Sequence, residues 1–297
     1  TEGKIMKKIL FATTALVATA SVAAADVTFS GYGRFGLAYT GAVGTTASST
    51  DVTSRLRLQI DTKAESDAGV TFGARVRIQQ NEGQQGQTNA ARFYAKSGGL
   101  EVGAGNIYGA LEFMPGQYPI DLGLTGLGYE YVAYGFNGDA YSSGGTGASG
   151  SNGVEVMYSA GDLSVHVSAS DTNNRVAAVA AYSMSGWTVA AAMSNSKVST
   201  TTKSAITVSG AIGGVNVGLA NAKTYGNNKQ TTISASTSVG AATTVNAYYN
   251  TNDANASTDK KSYGIGLAHD LGGATLKTGI EKTKKVTSAD FGVVFNF

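Results

Sequence analysis

The stretch SRLRLQIDTK, residues 54–63, and the stretch GARVRIQQNE, residues 73–82, both alternate arginine with a large apolar residue. In the first stretch, Arg55 and Arg57 share one side of the alternation and Leu56 lies on the other. Successive side chains of a β-strand point to opposite faces, so this pattern predicts two strands, each with an apolar face and a cationic face. The fold must therefore offer an apolar environment on one face of this sheet and a polar one on the other.

An export signal precedes these strands. The segment MKKILFATTALVATASVAAADV starts at Met6 with two lysines, continues as a short apolar run and ends in three alanines before Asp26. This order is typical of a secretory signal peptide, and the run is too short to span a bilayer as a helix. We therefore expect residues 1–25, a start-site extension followed by a signal peptide, to be removed, leaving residues 26–297 as a single domain.

The composition excludes several classes of protein. The chain has 297 residues with 40 glycines, 2 prolines and no cysteine, so a disulfide scaffold or a thiolate metal site is excluded. Only 14% of the residues are charged, against roughly 25% in a typical soluble domain. Removal of residues 1–25 takes away three lysines and Glu2, which leaves 19 basic and 19 acidic residues. A neutral mature chain gives no reason to expect a nucleic-acid partner.

Short alternating runs continue to the end of the chain, and no later segment has 18 consecutive apolar residues. Tight glycine turns such as KSGGL and DLGGA alternate with longer polar loops. This arrangement predicts an all-β fold, a transmembrane antiparallel up-and-down β-barrel of about sixteen strands. The predicted strands are 27–40, 53–62, 69–80, 90–97, 99–105, 153–159, 162–170, 174–184, 186–194, 203–212, 214–222, 229–239, 242–250, 260–270, 273–283 and 288–297.

One long, glycine-rich insert, residues 106–152, interrupts this regular series. It holds both prolines of the chain, Pro115 and Pro119, and no predicted strand contains one. A strand within lipid must pair every backbone N–H, and proline lacks this donor. Connections of this length are usually functional or mobile, so we expect the insert to have a role of its own.

The four arginines of the opening stretches exclude a lipid-facing position for that side of the sheet. Each arginine near the bilayer midplane costs roughly 2–4 kcal/mol. Together they would cost roughly 8–16 kcal/mol, which is comparable with the whole stability of a domain. A soluble sandwich could expose them to bulk water, but the export signal and the turn pattern favour a barrel. About sixteen strands enclose an aqueous channel, so we expect the arginines to line a pore.

Four segments resemble the general diffusion porins of alphaproteobacteria: DVTFSGYGRFGLAY at the mature start, SRLRLQID, GVTFGARVRIQ and the closing ADFGVVFNF. The resemblance spans residues 26–297 and implies a homotrimer of sixteen-stranded barrels, each with a long third loop folded into the lumen. It further implies that Phe297 is the terminal aromatic read by the outer-membrane assembly machinery. It maps a basic wall of the constriction onto Arg34, Arg55, Arg57, Arg75, Arg77 and Arg92. The acidic candidates on the third loop are Glu112, Asp121 and Glu130.

Two other sequence features give little support for a nucleotide-binding or a catalytic site. GYGRFG, residues 31–36, matches a dinucleotide fingerprint in letters, but it lies within a predicted strand and no helix follows it. His166 and His269 are the only histidines, and neither has a partner at metal-ligand spacing. A catalytic histidine needs a nucleophile and an orienting group, so we expect both to be polar wall or girdle residues.

The leading hypothesis is a passive, water-filled channel in the bacterial outer membrane for small hydrophilic solutes and ions. Its partners would be membrane lipid, further copies of itself, the assembly machinery and the solutes, with no cofactor, no metal and no reaction. A substrate-selective porin with a weak solute-binding site is the first alternative, although the single tryptophan gives little support for a sugar-stacking surface. The second alternative is an outer-membrane barrel enzyme or an adhesin. The sequence offers neither the catalytic cluster that an enzyme needs nor the large outer domains that an adhesin needs.

The signal pattern predicts that the mature protein begins at Asp26. N-terminal sequencing of protein purified from outer membranes measures this directly. A mature protein that starts at Thr1 or Met6 would contradict the export hypothesis.

Overall fold

The computed structural model describes residues 25–133, 141–142, 152–171, 174–196, 202–224, 228–253, 260–283 and 285–297, so the expected signal peptide lies outside the described residues. The described residues form sixteen long strands and one strand of two residues. No helix in this part of the chain is long and apolar enough to cross a membrane. The strands are β1 (Asp26–Thr40), β2 (Ser49–Glu65), β3 (Thr71–Asn81), β4 (Gln87–Thr88), β5 (Arg92–Ser97), β6 (Leu100–Asn106), β7 (Asn152–Ala160), β8 (Leu163–Ser170), β9 (Arg175–Met184), β10 (Trp187–Ser196), β11 (Lys203–Ile212), β12 (Val215–Lys223), β13 (Lys229–Ser238), β14 (Thr243–Asn252), β15 (Lys261–Asp270), β16 (Thr275–Thr283) and β17 (Val286–Asn296).

The long strands form one closed antiparallel barrel. Each pairs with its neighbours in the chain, and β17 pairs with β1 from Tyr32↔Asn296 to Thr40↔Ser288, which closes the sheet. This confirms the predicted fold class and the predicted number of long strands. The tight turns are also as predicted, since glycines such as Gly98 and Gly161 have a φ of 55° there.

Two details differ from the predicted strands. The pair β1–β2 continues from Thr40↔Ser49 to Asp26↔Lys63, so β2 begins four residues before the predicted start. The polar loop predicted at 81–89 contains the short strand β4, which pairs with Ile78 and Gln79 of β3. Neither stretch has an alternating apolar pattern. Backbone pairing with the neighbouring strand, rather than burial of side chains, holds these residues in the sheet.

The two faces of the barrel wall differ in the way that the sequence predicted. One face, called here the exposed face, carries large apolar side chains such as Phe29, Phe35, Phe72 and Phe291, all more than half exposed. The opposite face, called the buried face, carries Arg34, the other wall arginines and most of the buried polar residues. Apolar side chains without cover are expected where the neighbouring phase is lipid.

Two phenylalanine rings cover glycines where the barrel closes. A Cβ atom on Gly33 would lie 2.3 Å from the ring of Phe295, and one on Gly31 would lie 2.9 Å from the ring of Phe297. Such packing compensates for the missing side chain of a strand glycine. Gly31 and Gly33 of GYGRFG therefore leave space for aromatic rings on the exposed face, and the strand continues to Thr40 without a phosphate-binding turn.

Phe297 also pairs its main chain with β1. Its N–H donates to the Gly31 carbonyl at 3.0 Å, and its carbonyl accepts from the Gly31 N–H at 2.8 Å. Phe297 thus contacts Gly31 of β1 in two ways: its main chain forms two hydrogen bonds and its ring covers the glycine.

Deletion of Phe297 should lower the yield of the folded, heat-modifiable barrel on gels, while synthesis stays normal. The deletion removes two backbone hydrogen bonds, a loss of about 2 kcal/mol, and uncovers Gly31. Phe297→Leu is the matched control, because it keeps the main-chain pair and loses only the ring. An unchanged yield after deletion would show that neither contact matters for assembly.

Candidate functional site

Three arginines of β2 and β3, Arg57, Arg75 and Arg77, form a cross-strand row on the buried face, called here the arginine row. The register places Arg57 opposite Gln79 and Arg77 opposite Gln59. The Nε of Arg57 donates to Oε1 of Gln79, and the Nε of Arg77 donates to Oε1 of Gln59, each at 2.7 Å. Amide acceptors fix the direction of these guanidinium groups without neutralising them. The row therefore keeps its positive charge.

The third member of the row, Arg75, has a carboxylate partner. Its Nε donates to Oδ1 of Asp61 at 2.7 Å, and Gln59 donates to the other carboxylate oxygen at the same distance. Asp61 is the acid that ion-pairs with the arginine row among the described residues of β2 and β3. Among the described residues of β2 and β3, one carboxylate lies beside three arginines, so the charge of this part of the wall is positive.

Tyrosine rings support the same guanidinium groups. The guanidinium carbon of Arg57 lies 5.1 Å from the ring centroid of Tyr32, and that of Arg77 lies 4.8 Å from Tyr141. Arg75 donates from Nη1 to the hydroxyl of Tyr108 at 2.8 Å. Cation–π contacts hold a guanidinium group in place and leave its charge intact.

The insert between β6 and β7 begins at a buried carboxylate. Glu155 of β7 accepts from the N–H groups of Tyr108 at 3.2 Å and Gly109 at 3.1 Å. The same carboxylate accepts from Arg92 at 2.7 Å and lies 2.9 Å from Nε2 of His166. Bonds to charged acceptors are among the stronger hydrogen bonds, so this group fixes the direction in which the insert leaves β6.

The middle of the insert is bonded to the strands that close the barrel. Asp290 of β17 accepts from the N–H of Leu124 at 2.9 Å and the N–H of Thr125 at 2.7 Å. Arg34 of β1 donates to the Leu124 carbonyl at 2.9 Å. The side chain of Leu124 lies over Gly36, where a Cβ atom would lie 2.7 Å from it.

Further bonds join the insert to strands between these two anchors. Thr207 of β11 donates to the Pro115 carbonyl at 2.7 Å, and Asn246 of β14 donates to the Asp121 carbonyl at 3.0 Å. Gln230 of β13 donates to a carbonyl near the end of the described part of the insert, that of Val132, at 3.0 Å. One segment of the chain thus contacts β1, β7, β8, β11, β13, β14 and β17 on the buried face.

Apolar packing completes the attachment of the insert. Leu111 and Met114 are almost fully buried in a cluster with small side chains from the buried face of the wall. Alanine in the wall leaves room for the larger side chains of the insert. The clustered wall residues are Ala177, Val179, Ala181, Ala190, Ala192, Ala205, Ala220 and Ala222.

A cavity of about 650 Å³ separates the arginine row from the insert. Its size lies within the range of small-molecule sites. The residues that line it are Arg57, Arg75, Arg77, Tyr108, Glu112, Phe113, Met114, Gly116, Tyr118, Tyr129 and Tyr141.

Among the described residues that line this cavity, Glu112 is the acidic one and the three arginines are the basic ones. The hydroxyl of Tyr118 donates to its Oε1. Burial raises the pKa of the Glu112 carboxyl to about 7, and the bond from Tyr118 opposes this rise. The cavity therefore carries a fixed positive wall and a carboxyl group that titrates near neutral pH.

Arg55 and Arg92, two further residues of the predicted basic wall, are not among the residues that line the cavity. Arg55 donates to Asn81 at 2.7 Å and to Tyr32 at 3.3 Å. Arg92 is 1% exposed and pairs at 2.7 Å with both Glu101 and Glu155. Arg92 thus forms part of the anchor of the insert, and the cavity lining does not include it.

The other two predicted acids lie elsewhere on the insert. Asp121 forms an ion pair with Lys277 of β16. Glu130 interacts electrostatically with Glu281 and Tyr248, on β16 and β14. Glu112 thus lines the same cavity as the three arginines, whereas Asp121 and Glu130 interact with other strands.

Sequence reasoning missed the two carboxylates that anchor the insert, Glu155 and Asp290. Each is an inward acid in an otherwise ordinary alternating strand, and Asp290 is 166 residues from its partner Leu124. An acid at a buried-face position of a strand was the available signal, but it does not name the partner. His166 is a wall residue bonded to Glu155, which fits the expectation for this histidine.

Comparison with known proteins agrees with this architecture. A family described as Gram-negative porin matches residues 12–285. A porin of Fuscovulum blasticum is 32% identical over 159 residues, which is 51% of this chain and 54% of that protein. The chain therefore aligns with about half the length of this curated relative.

Solved structures extend the similarity to the whole barrel. A mutant of Rhodopseudomonas blastica porin is 27% identical, with a TM-score of 0.82, and the match covers 92% of this chain and 100% of the other. A triple mutant of the same porin is 28% identical with the same TM-score and the same coverage. The closed barrel and the family match lead to one conclusion: this chain belongs to the Gram-negative porin family and is an integral β-barrel protein of the outer membrane.

Proposed function

We propose that the protein is a water-filled channel through which small hydrophilic solutes and ions diffuse passively across the outer membrane. The observation that carries this proposal is the cavity of about 650 Å³ between a positively charged wall and the insert, inside a closed barrel. Membership in the Gram-negative porin family supports it. A barrel of sixteen strands is wide enough to enclose an aqueous path.

We further propose that the insert is the third loop folded into the lumen, where it narrows the channel. The hydrogen bonds that join the insert to strands from β7, at Glu155, to β17, at Asp290, support this path. The insert bonds to strands around the closed cylinder on the face opposite the exposed apolar side chains, and this supports a path through the inside of that cylinder. Arg57, Arg75 and Arg77 then face Glu112 across the narrowest part and produce a field transverse to the channel.

The remaining expected partners are part of the same proposal. The mature domain, residues 26–297, would assemble as a homotrimer surrounded by membrane lipid. Phe297 would be recognised by the outer-membrane assembly machinery, consistent with its place at the end of the closing strand. The reaction-free mechanism uses no catalytic residue, cofactor or metal, and solutes are screened by their size and charge.

Replacement of cavity charges should change ion selectivity in opposite directions. Arg57→Gln together with Arg77→Gln should shift the channel toward cations, and Glu112→Gln should shift it toward anions above pH 7. One charge near such a passage is worth about 0.5–1 kcal/mol, or about a twofold to fivefold change in permeability ratio. The measurement is the zero-current potential across a planar bilayer under a KCl gradient.

Asp121→Asn provides the matched control, because this acid pairs with Lys277 and does not line the cavity. We expect its effect to be smaller than that of Glu112→Gln. All shifts should decrease in 1 M salt, where the screening length is about 3 Å. Shifts of the same sign for the arginine and glutamate variants would contradict the facing-charge arrangement.

The selectivity of the wild-type channel should also depend on pH with a midpoint near 7. Below this pH the Glu112 carboxyl is neutral, so anions should be favoured; above it the carboxylate is charged, so cation permeability should rise. Glu112→Gln should abolish this change, whereas Tyr118→Phe should move the midpoint to higher pH. A wild-type selectivity that stays constant between pH 6 and pH 8 would exclude Glu112 as the titrating group.

A further inference from the structure

Three aromatic rings on the insert stay exposed beside the arginine row. Phe113 is 56% exposed, Tyr118 is 42% exposed and Tyr129 is 44% exposed, and all three line the cavity. The insert buries other large side chains well, since Leu111 is 1% exposed and Tyr131 is 2% exposed. A group of exposed apolar rings inside a protein is unusual and often marks a place where a ligand binds.

The rings are held at fixed positions by their neighbours. Phe113 stacks on Tyr108, with ring centroids 4.6 Å apart and an angle of 11° between the planes. Tyr108 in turn lies 3.9 Å from the guanidinium carbon of Arg92, which is buried in ion pairs. Tyr118 and Tyr129 meet edge to face at 6.5 Å. Rings fixed in this way lose little conformational freedom when a flat molecule packs against them.

The wall opposite offers a binding group for an anion. Within the described residues, Arg57 donates only from Nε, to Gln79, so both of its Nη groups are available to a ligand. A guanidinium group binds a carboxylate through two parallel hydrogen bonds. Arg77 lines the same wall and adds its charge to that of Arg57.

From this geometry we infer that the cavity is a weak binding site for small organic anions that carry a flat aromatic ring, with aromatic carboxylates as the simplest members. The carboxylate binds to the Nη groups of Arg57, and the charge of Arg77 lies on the same wall. The ring packs against Phe113, Tyr118 and Tyr129. Binding has to stay weak, because a solute must also leave the site for transport to continue. This inference rests on the proposed channel function and adds a preferred class of solute to it.

The test compares three probes on the reconstituted wild-type channel in planar bilayers. Benzoate has the ring and the charge, cyclohexanecarboxylate has the charge without the aromatic ring, and benzyl alcohol has the ring without the charge. We expect benzoate to reduce the KCl current by half at a concentration about threefold to tenfold lower than either of the other two, as one stacking contact would produce.

Two sets of variants separate the contributions of ring and charge. Phe113→Leu with Tyr129→Leu should make benzoate and cyclohexanecarboxylate equal, and Arg57→Gln should weaken both carboxylates by the same factor. Tyr182→Leu is the matched control, because Tyr182 is a tyrosine of the exposed face, 51% exposed, and should leave the preference unchanged.

The outcomes distinguish this inference from the function on which it rests. A wild-type channel that conducts and is blocked equally by benzoate and cyclohexanecarboxylate overturns the aromatic site and leaves the channel function intact. A preference that Tyr182→Leu removes as fully as the cavity variants do also overturns it. A folded, inserted protein that carries no current contradicts the proposed function itself.

Discussion

The hydrogen bonding of the backbone in lipid is the constraint on which the rest of this structure depends. A strand within a bilayer has no water to satisfy its N–H and C=O groups, so each strand must have a partner on both sides. The pairing of β17 with β1 meets this condition by removing the two edges of the sheet. Closure in turn separates the buried face of the wall, where the arginines lie and which the insert contacts, from the exposed face.

The alternation of side chains connects this constraint to the site. Because neighbouring residues of a strand face opposite phases, the same strands carry phenylalanine toward lipid and arginine toward the enclosed space. In β2 and β3 the amides of Gln59 and Gln79 hold the arginines and leave their charge in place. In β9 to β12 most of the buried-face residues that cluster with the insert are alanines, which leave room for it. One wall is thus built to present charge and the other to hold a segment of chain.

Much of this arrangement is predictable from the sequence, because it depends on local patterns. The strands follow from a period of two, the tight turns from glycine, and the arginine wall from the cost of charge in lipid. The path of the insert is not local. Its direction depends on Glu155 and Asp290, whose partners are far away in the chain, and on alanines whose inward and outward positions look alike. The separation of Glu112 from Asp121 and Glu130 follows from that path, so the sequence indicated three acidic candidates where the described lining of the cavity contains one.

The anchor at Asp290 has a consequence for the order of folding. The carboxylate that bonds to Leu124 and Thr125 belongs to the last strand of the chain, and Arg34, which bonds to Leu124 from the other side, belongs to the first. These two strands become neighbours only when the sheet closes. The near end of the insert, at Glu155, is completed by β7 and so is available much earlier. Final docking of the middle of the insert, at Leu124 and Thr125, is therefore coupled to closure of the sheet, whereas its bonds to β7, β11, β13 and β14 do not require it.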